Sequence, residues 1–166
     1  MAKTLYATVE ELKTYAVERG VSLLNSTTGA EYTDDEISVF LTKAQDYIDF
    51  VFTFVGDPIG DYSQFPRRGL DNYDETTVPP AVRTATLYVA THLLEGLPIL
   101  EGQKPQSEVK REVIAANRIE TEYATNYKDN TVQGFVMLDA PLYILRRAGL
   151  LSGVTGGGMN MFGVRG

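Results

Sequence analysis

The sequence predicts a mainly α-helical protein with about four helices, a short β-hairpin, a long irregular loop and a flexible C-terminal tail. Two capping-box signatures begin stretches of apolar residues at helical spacing, and a Val-Pro-Pro triplet begins an alanine-rich third stretch. The 166 residues, 43% of them hydrophobic, suffice for one domain with a core. We predict a helical domain over residues 1–151 and a glycine-rich tail over 152–166.

The first two helices are predicted from their N-termini. The motifs TVEE at 8–11 and TDDE at 33–36 place a threonine at the cap and a glutamate three residues later, so each can bond the other's backbone amide. Apolar residues then recur at helical spacing. We predict helices over 9–19, with Gly20 as the stop, and over 34–54.

The second half of the domain alternates irregular and helical stretches. Residues 60–78 form a loop of a length that is usually functional or disordered in compact domains, and its Pro, Gly, Asp and Asn content argues against regular structure. A third helix begins at Val78-Pro79-Pro80 and ends at Gly96. A last helix is predicted over about 140–148.

The stretch "GQKPQSEVKREVIAANRIETEYATNY" fits either a solvated helix or two strands. Val109 and Val113 have helical spacing, whereas residues 119–123 alternate apolar or β-branched side chains with charge, as a half-buried strand does. We favour a hairpin over 109–114 and 118–124. An isolated hairpin is marginally stable in water, so this one needs a partner surface.

The residue inventory gives no catalytic or metal-binding constellation. The chain has no cysteine and a single histidine, His92, which is expected to be a structural residue of the third helix. The acidic residues Asp71, Asp74 and Glu75 lack the ligand register of a calcium loop, and the glycines at 156–158 neither follow a strand nor precede a helix. We therefore expect no enzyme activity, cofactor or metal, and no stretch is apolar and long enough to span a membrane.

Phe65, Arg67 and Arg68 form the best basic-aromatic cluster, with Tyr62 and Tyr73 near in sequence. Such side chains stack on single-stranded bases. The alternative is that the phenylalanine packs into the core while an arginine pairs with a carboxylate. We favour that alternative or a protein–protein contact, because a net charge of −7 repels nucleic acid.

Four segments in order carry a family resemblance: "GDPIGDYSQFPRRGL", "VPPAVRTATLYVATHLLEG", "VKREVIAANRIETEY" and "PLYILRRAGLL". The chain resembles the tailed-bacteriophage head–tail connector (adaptor, or head-completion) proteins, whose relatives include proteins labelled DnaT-like single-stranded DNA-binding. The usual family hairpin has a glycine at its turn, where this chain has Ala115-Ala116-Asn117. The resemblance implies a dodecameric ring beneath the portal, which extends the DNA channel and docks the tail or the next connector protein.

The resemblance also implies partners and contact residues. The portal protein or a neighbouring subunit would bind the C-terminal tail of the chain, residues 152–166. Identical subunits would meet at the loop and the hairpin. DNA would pass through the channel without sequence-specific binding. The protein would then reside at the virion head–tail interface, and in the host cytoplasm during assembly. The contrasting function is a DnaT-like single-stranded DNA-binding protein of phage replication, which the negative charge disfavours. The implied contact residues are, for the tail, Met159, Met161, Phe162, Val164 and Arg165, and, for the loop and hairpin, Phe65, Arg67, Arg68, Ile119 and Tyr123.

Overall fold

A computed structural model describes residues 4–99, 109–115, 118–123, 131–132 and 135–154, with side chains over 4–99 and 137–153. Within these residues the chain forms four helices and four two-stranded antiparallel sheets, which confirms the predicted small, mainly helical fold. The helices are α1 (Val9–Glu18), α2 (Asp34–Val51), α3 (Pro80–Leu94) and α4 (Asp139–Arg147). The strands are β1 (Phe52–Phe54), β2 (Asp57–Pro58), β3 (Arg67–Arg68), β4 (Val109–Ala115), β5 (Arg118–Tyr123), β6 (Thr131–Val132), β7 (Phe135–Val136) and β8 (Leu151–Val154).

Both predicted capping boxes are present. The backbone amide of Glu11 donates to the Thr8 hydroxyl at 3.2 Å, and the Glu11 carboxylate accepts from the Thr8 amide at 2.7 Å. Thr33 and Glu36 repeat the exchange at the start of α2, at 3.3 and 2.8 Å. Each box satisfies donors that the first turn of a helix leaves without partners.

The second helix ends three residues earlier than predicted, because Phe52–Phe54 is the strand β1. Its burial alternates, with both phenylalanines inside and Thr53 outside, as a strand requires. Its partner is β8, and the backbone register pairs Phe52 with Val154 and Phe54 with Leu151. The partner strand therefore continues three residues past the predicted domain boundary at 151.

The central element is α3, which packs against each of the other three helices. Eight of its residues are buried, among them the small residues Ala85 and Ala90, which allow close helix–helix approach. Two buried threonines return their hydroxyls to the helix backbone, Thr86 to the Val82 carbonyl at 2.8 Å and Thr91 to the Tyr88 carbonyl at 2.8 Å. The helix can thus be buried on several sides without a polar atom left unpaired at these positions.

The predicted hairpin is confirmed. β4 and β5 are antiparallel, with Ile114 opposite Ile119 and Ala115 opposite Arg118. The register shifts between Val109 and Arg111, which indicates a bulge at the open end of the hairpin. Residues 116 and 117 of the predicted turn, and the tail beyond Val154, lie outside the described residues.

Candidate interaction surfaces

Phe65 fills the core from the long loop. Its side chain is 2% exposed, and its ring meets the rings of Tyr6 and Phe54 edge-on at centroid distances of 5.8 and 4.7 Å. The loop is not wholly irregular, because Asp57–Pro58 pairs with Arg67–Arg68 as the ribbon β2–β3. Burial of an aromatic ring holds the middle of the loop against the helices.

The hydroxyl of Tyr6 holds the same loop from the other side. It donates to the Asp49 carboxylate at 2.6 Å and accepts from the backbone amides of Gln64 and Phe65 at 2.8 and 3.1 Å. Burial raises the pKa of Tyr6 far above its usual value, and the charge of Asp49 raises it further, so the hydroxyl stays protonated. The backbone of Tyr6 is itself held by Gln45, whose side-chain oxygen accepts from its amide at 3.1 Å. No local sequence pattern predicts this network, because its hydrogen bonds join residues 39 to 59 positions apart.

Arg67 is a buried cation, 5% exposed, whose guanidinium faces backbone carbonyl oxygens. It donates to the Val55 carbonyl at 2.9 Å, to the carbonyls of Phe54 and Gly56, and to the Gln64 side-chain oxygen at 2.7 Å. Burial lowers the pKa of Arg67, while the charge of Asp57 acts in the opposite direction. A guanidinium has five N–H donors, and here they join the first part of the loop to the backbone of residues 54–56.

Glycine is the only residue type that fits at position 56, beside the ribbon β2–β3. Its φ is +75°, and a Cβ atom there would lie 2.1 Å from the carbonyl oxygen of Arg68. Both facts exclude a side chain, since left-handed backbone is costly for other residues and the oxygen belongs to the backbone of β3.

The predicted basic-aromatic cluster is therefore divided between the interior and the surface. Phe65 and Arg67 are core residues, which confirms the structural alternative, except that Arg67 bonds carbonyl oxygens instead of a carboxylate. Arg68 is exposed. The role of this loop between subunits stays a prediction, and among the three residues Arg68 is the one whose side chain is on the surface.

The other candidate residues are the single histidine and the acidic residues of the loop. His92 is half-buried, as expected, and burial lowers its pKa while a hydrogen bond with the Pro98 backbone acts in the opposite direction. Asp71 and Glu75 are exposed, and exposed Asp74 accepts from the Thr76 amide at 2.6 Å. Among the described residues, no group of three His, Asp or Glu side chains has the geometry to hold a metal ion.

An open groove runs between α1 and α3, with a cavity volume of about 310 Å³. Tyr15 and Leu87 form its apolar part, and the carboxylates of Glu10, Glu11 and Glu18 surround it. The Tyr15 hydroxyl is buried and has no hydrogen-bond partner within the described part of the chain. Burial raises the pKa of Tyr15. A buried hydroxyl without a partner is unusual, and an ordered water, a ligand or a neighbouring chain would satisfy it.

The outer face of α4 is basic and aromatic. Tyr143 is 63% exposed, and Arg146 and Arg147, three and four residues further along the helix, are exposed as well. That spacing places all three side chains on one side of the helix. The sequence analysis overlooked this outward face, although the spacing of Tyr143, Arg146 and Arg147 is visible in "PLYILRRAGLL".

A family described as "Putative DnaT-like ssDNA binding protein" matches residues 4–166. The chain belongs to this DnaT-like family. The part of the sequence resemblance that names DnaT-like relatives is thereby confirmed, and the head–tail connector part stays a prediction. Comparison with curated proteins and with solved structures gave no match. No helix in the described part of this DnaT-like protein is long and apolar enough to cross a membrane.

The remaining predicted contact residues fall outside the described side chains. Ile119 and Tyr123 lie in β5, whose backbone alone is described, and the tail residues Met159, Met161, Phe162, Val164 and Arg165 lie beyond the described chain. Their assigned contacts stay predictions.

Proposed function

We propose that this DnaT-like protein is a non-catalytic structural subunit of a tailed-phage head–tail connector. Identical subunits form a ring beneath the portal protein, extend the DNA channel and dock the tail or the next connector protein. The protein then works at the head–tail interface of the virion and is assembled in the host cytoplasm. The observation that carries the proposal is the hairpin β4–β5, with strands of 7 and 6 residues.

Among the described residues, these two strands pair only with each other. A two-stranded hairpin is marginal in water unless another surface covers one face. In the sequence, Ile119, Thr121 and Tyr123 alternate with the acidic Glu120 and Glu122, and the backbone register sets Ile114 opposite Ile119. Since residues that alternate along a strand belong to opposite faces, we assign the more apolar set to a neighbouring subunit and the charged set to solvent.

The interior of the loop and the net charge support a structural role. The loop directs Phe65 and Arg67 into the chain's own core, so two members of its basic-aromatic cluster are withheld from a nucleic acid, while Arg68 and Tyr62 are exposed. A formal charge of −7 suits a channel wall along which DNA slides without adhering. Duplex DNA binds tightly where many cations neutralise its phosphates, and such a surface would retard its passage.

The test is the mass of complexes formed by the protein alone and with portal protein, together with one pair of hairpin variants. We expect the wild type to form a multi-subunit complex with portal. Ile119→Lys should reduce that complex at least tenfold in apparent affinity without changing the melting temperature. Glu120→Lys, on the opposite face of the same strand, is the matched control and should retain binding. A wild type that never joins the portal contradicts the proposal.

Single-stranded DNA binding is the second candidate, and two observations favour it. The family description names that activity, and the α4 face combines Tyr143 with two arginines, the residue types that stack on bases and contact phosphates. Anisotropy titration of a labelled oligothymidylate against salt separates the candidates. The connector function predicts no binding at micromolar protein in physiological salt. Micromolar or tighter binding there, with the steep salt dependence of phosphate contacts, would establish the second candidate instead.

A further inference from the structure

We infer that the groove between α1 and α3 of one subunit receives the outer α4 face of a second copy of this chain. The inference rests on the proposed ring assembly and names the two surfaces that meet. The groove contributes the carboxylates of Glu10 and Glu18 and the buried hydroxyl of Tyr15. The α4 face contributes Tyr143 and Arg147.

The groove is arranged to receive a cationic group. Arg83 already binds Glu11 at 3.1 Å, and Lys13 lies much nearer to Asp34, at 2.7 Å, than to Glu10, at 3.8 Å. Arg19 covers the ring of Tyr15 at 4.7 Å. Among the described side chains near the groove, the carboxylates of Glu10 and Glu18 thus outnumber Arg19, the cation that remains.

The Tyr15 hydroxyl adds a second, independent reason. Among the described residues its oxygen has no hydrogen-bond partner and is closed to solvent, so a small displacement of the Tyr15 side chain on docking would let an incoming guanidinium donate to it and to a carboxylate together. The apolar part of the groove, formed by the Tyr15 ring and Leu87, would at the same time receive an aromatic ring. An arginine and a tyrosine one helical turn apart match this combination.

The α4 face has that composition. Arg147 follows Tyr143 by four residues, so both side chains point from one side of the helix, with Arg146 beside them. In a chain with 22 acidic and 15 basic side chains, an exposed pair of arginines next to an exposed tyrosine is a local exception. Charge complementarity between the two patches favours this partner and suppresses wrong ones.

The two patches differ from each other, as a ring requires. α1 and α4 each pack on α3, and within the described chain they share no extensive contact. A subunit that carries one acidic groove and one basic face binds its neighbours head to tail, and such a contact closes into a ring when the rotation per subunit allows it. A two-fold dimer would instead place like patches together.

Site-directed cross-linking tests the contact, because the natural chain has no cysteine. The double variant Thr14→Cys/Asp139→Cys, with one cysteine in the groove between Glu10 and Glu18 and one a helical turn before Tyr143, keeps the charged and aromatic side chains of both patches and is treated with a short bifunctional maleimide at high protein concentration. We expect a ladder of trimers and longer products. The control Glu31→Cys/Lys43→Cys joins an exposed acid and an exposed base elsewhere on the surface, and should give at least tenfold less product above the dimer.

Charge reversal supplies the second measurement, in the same Thr14→Cys/Asp139→Cys background. Glu18→Arg or Arg147→Glu alone should reduce the ladder severalfold, and the two together should restore it. High salt should weaken the ladder as well, since exposed charges are screened.

Each remaining outcome has a definite meaning. A ladder no stronger than the control, or products that stop at the dimer, overturns the inference while the connector function survives if the wild type still enters the portal complex. A wild type that neither cross-links nor joins the portal overturns both. Loss of oligothymidylate binding in Arg147→Glu with an unchanged ladder assigns the α4 face to DNA and also overturns the inference.

Discussion

Replacement of Tyr6 by phenylalanine isolates the hydroxyl that holds the long loop. The variant keeps the ring against Phe65 and removes the acceptor of two backbone amides, those of Gln64 and Phe65. A buried donor without a partner costs about 1–3 kcal/mol. The Phe65 amide is buried and the Gln64 amide is partly exposed, so we assign about 2 and about 1 kcal/mol and expect a loss of about 3 kcal/mol.

Chemical denaturation at neutral pH measures this loss, with the dependence on denaturant unchanged. For a chain of this length the melting temperature should fall by about 9 °C. Tyr143→Phe is the matched control, because that hydroxyl is on the surface, and it should change stability by less than about 0.5 kcal/mol. A loss in Tyr6→Phe as small as in the control would refute the view that this hydroxyl fastens the loop.

Three further predictions concern other parts of the chain. Gly56→Ala should cost about 3 kcal/mol by denaturation, whereas Gly20→Ala, at a similar φ of +69° with open space around it, should cost about 1 kcal/mol. Burial lowers the pKa of His92 below its ordinary 6.5, so between the two pKa values the unfolded chain binds a proton that the folded chain does not. The free energy of unfolding should therefore fall as pH drops from 6.5 through the folded pKa. The NMR signal of this single histidine should titrate below pH 6.5. Deletion of residues 155–166 should leave the melting temperature unchanged, whereas deletion of 152–166 removes three residues of β8 and should lower it by several degrees.

Local sequence patterns predicted the helices well, because their determinants lie within a few residues of each other. The capping boxes at Thr8 and Thr33 depend on a glutamate three positions away, and both formed as expected. The hairpin was predicted from alternation over five residues and is present with its strands in antiparallel register. Such short-range signals survive in the fold when packing does not oppose them.

The end of α2 was predicted wrongly because it depends on a contact with a distant part of the chain. Phe52 and Phe54 continue the apolar pattern of the helix, and only their pairing with β8 selects the strand. The hydrogen-bond partners of Arg67 could not be predicted for a similar reason. They are carbonyl groups of residues 54–56, which the ribbon β2–β3 brings near to it. The acidic groove was missed although its carboxylates all lie on α1 at helical spacing; only the contribution of Leu87 depends on the packing of α3 against α1.

The pairing of β1 with β8 has a consequence for how the chain acquires its structure during synthesis. The partner of Phe52 in β8 is Val154, which is synthesised about a hundred residues later. Contacts between residues so far apart in sequence form slowly. The ribosome must therefore synthesise the chain through residue 154 before the end of α2 is completed. Products that end before β8 lack this pairing and leave β1 without its partner strand, so we expect them to be ready targets for proteolysis.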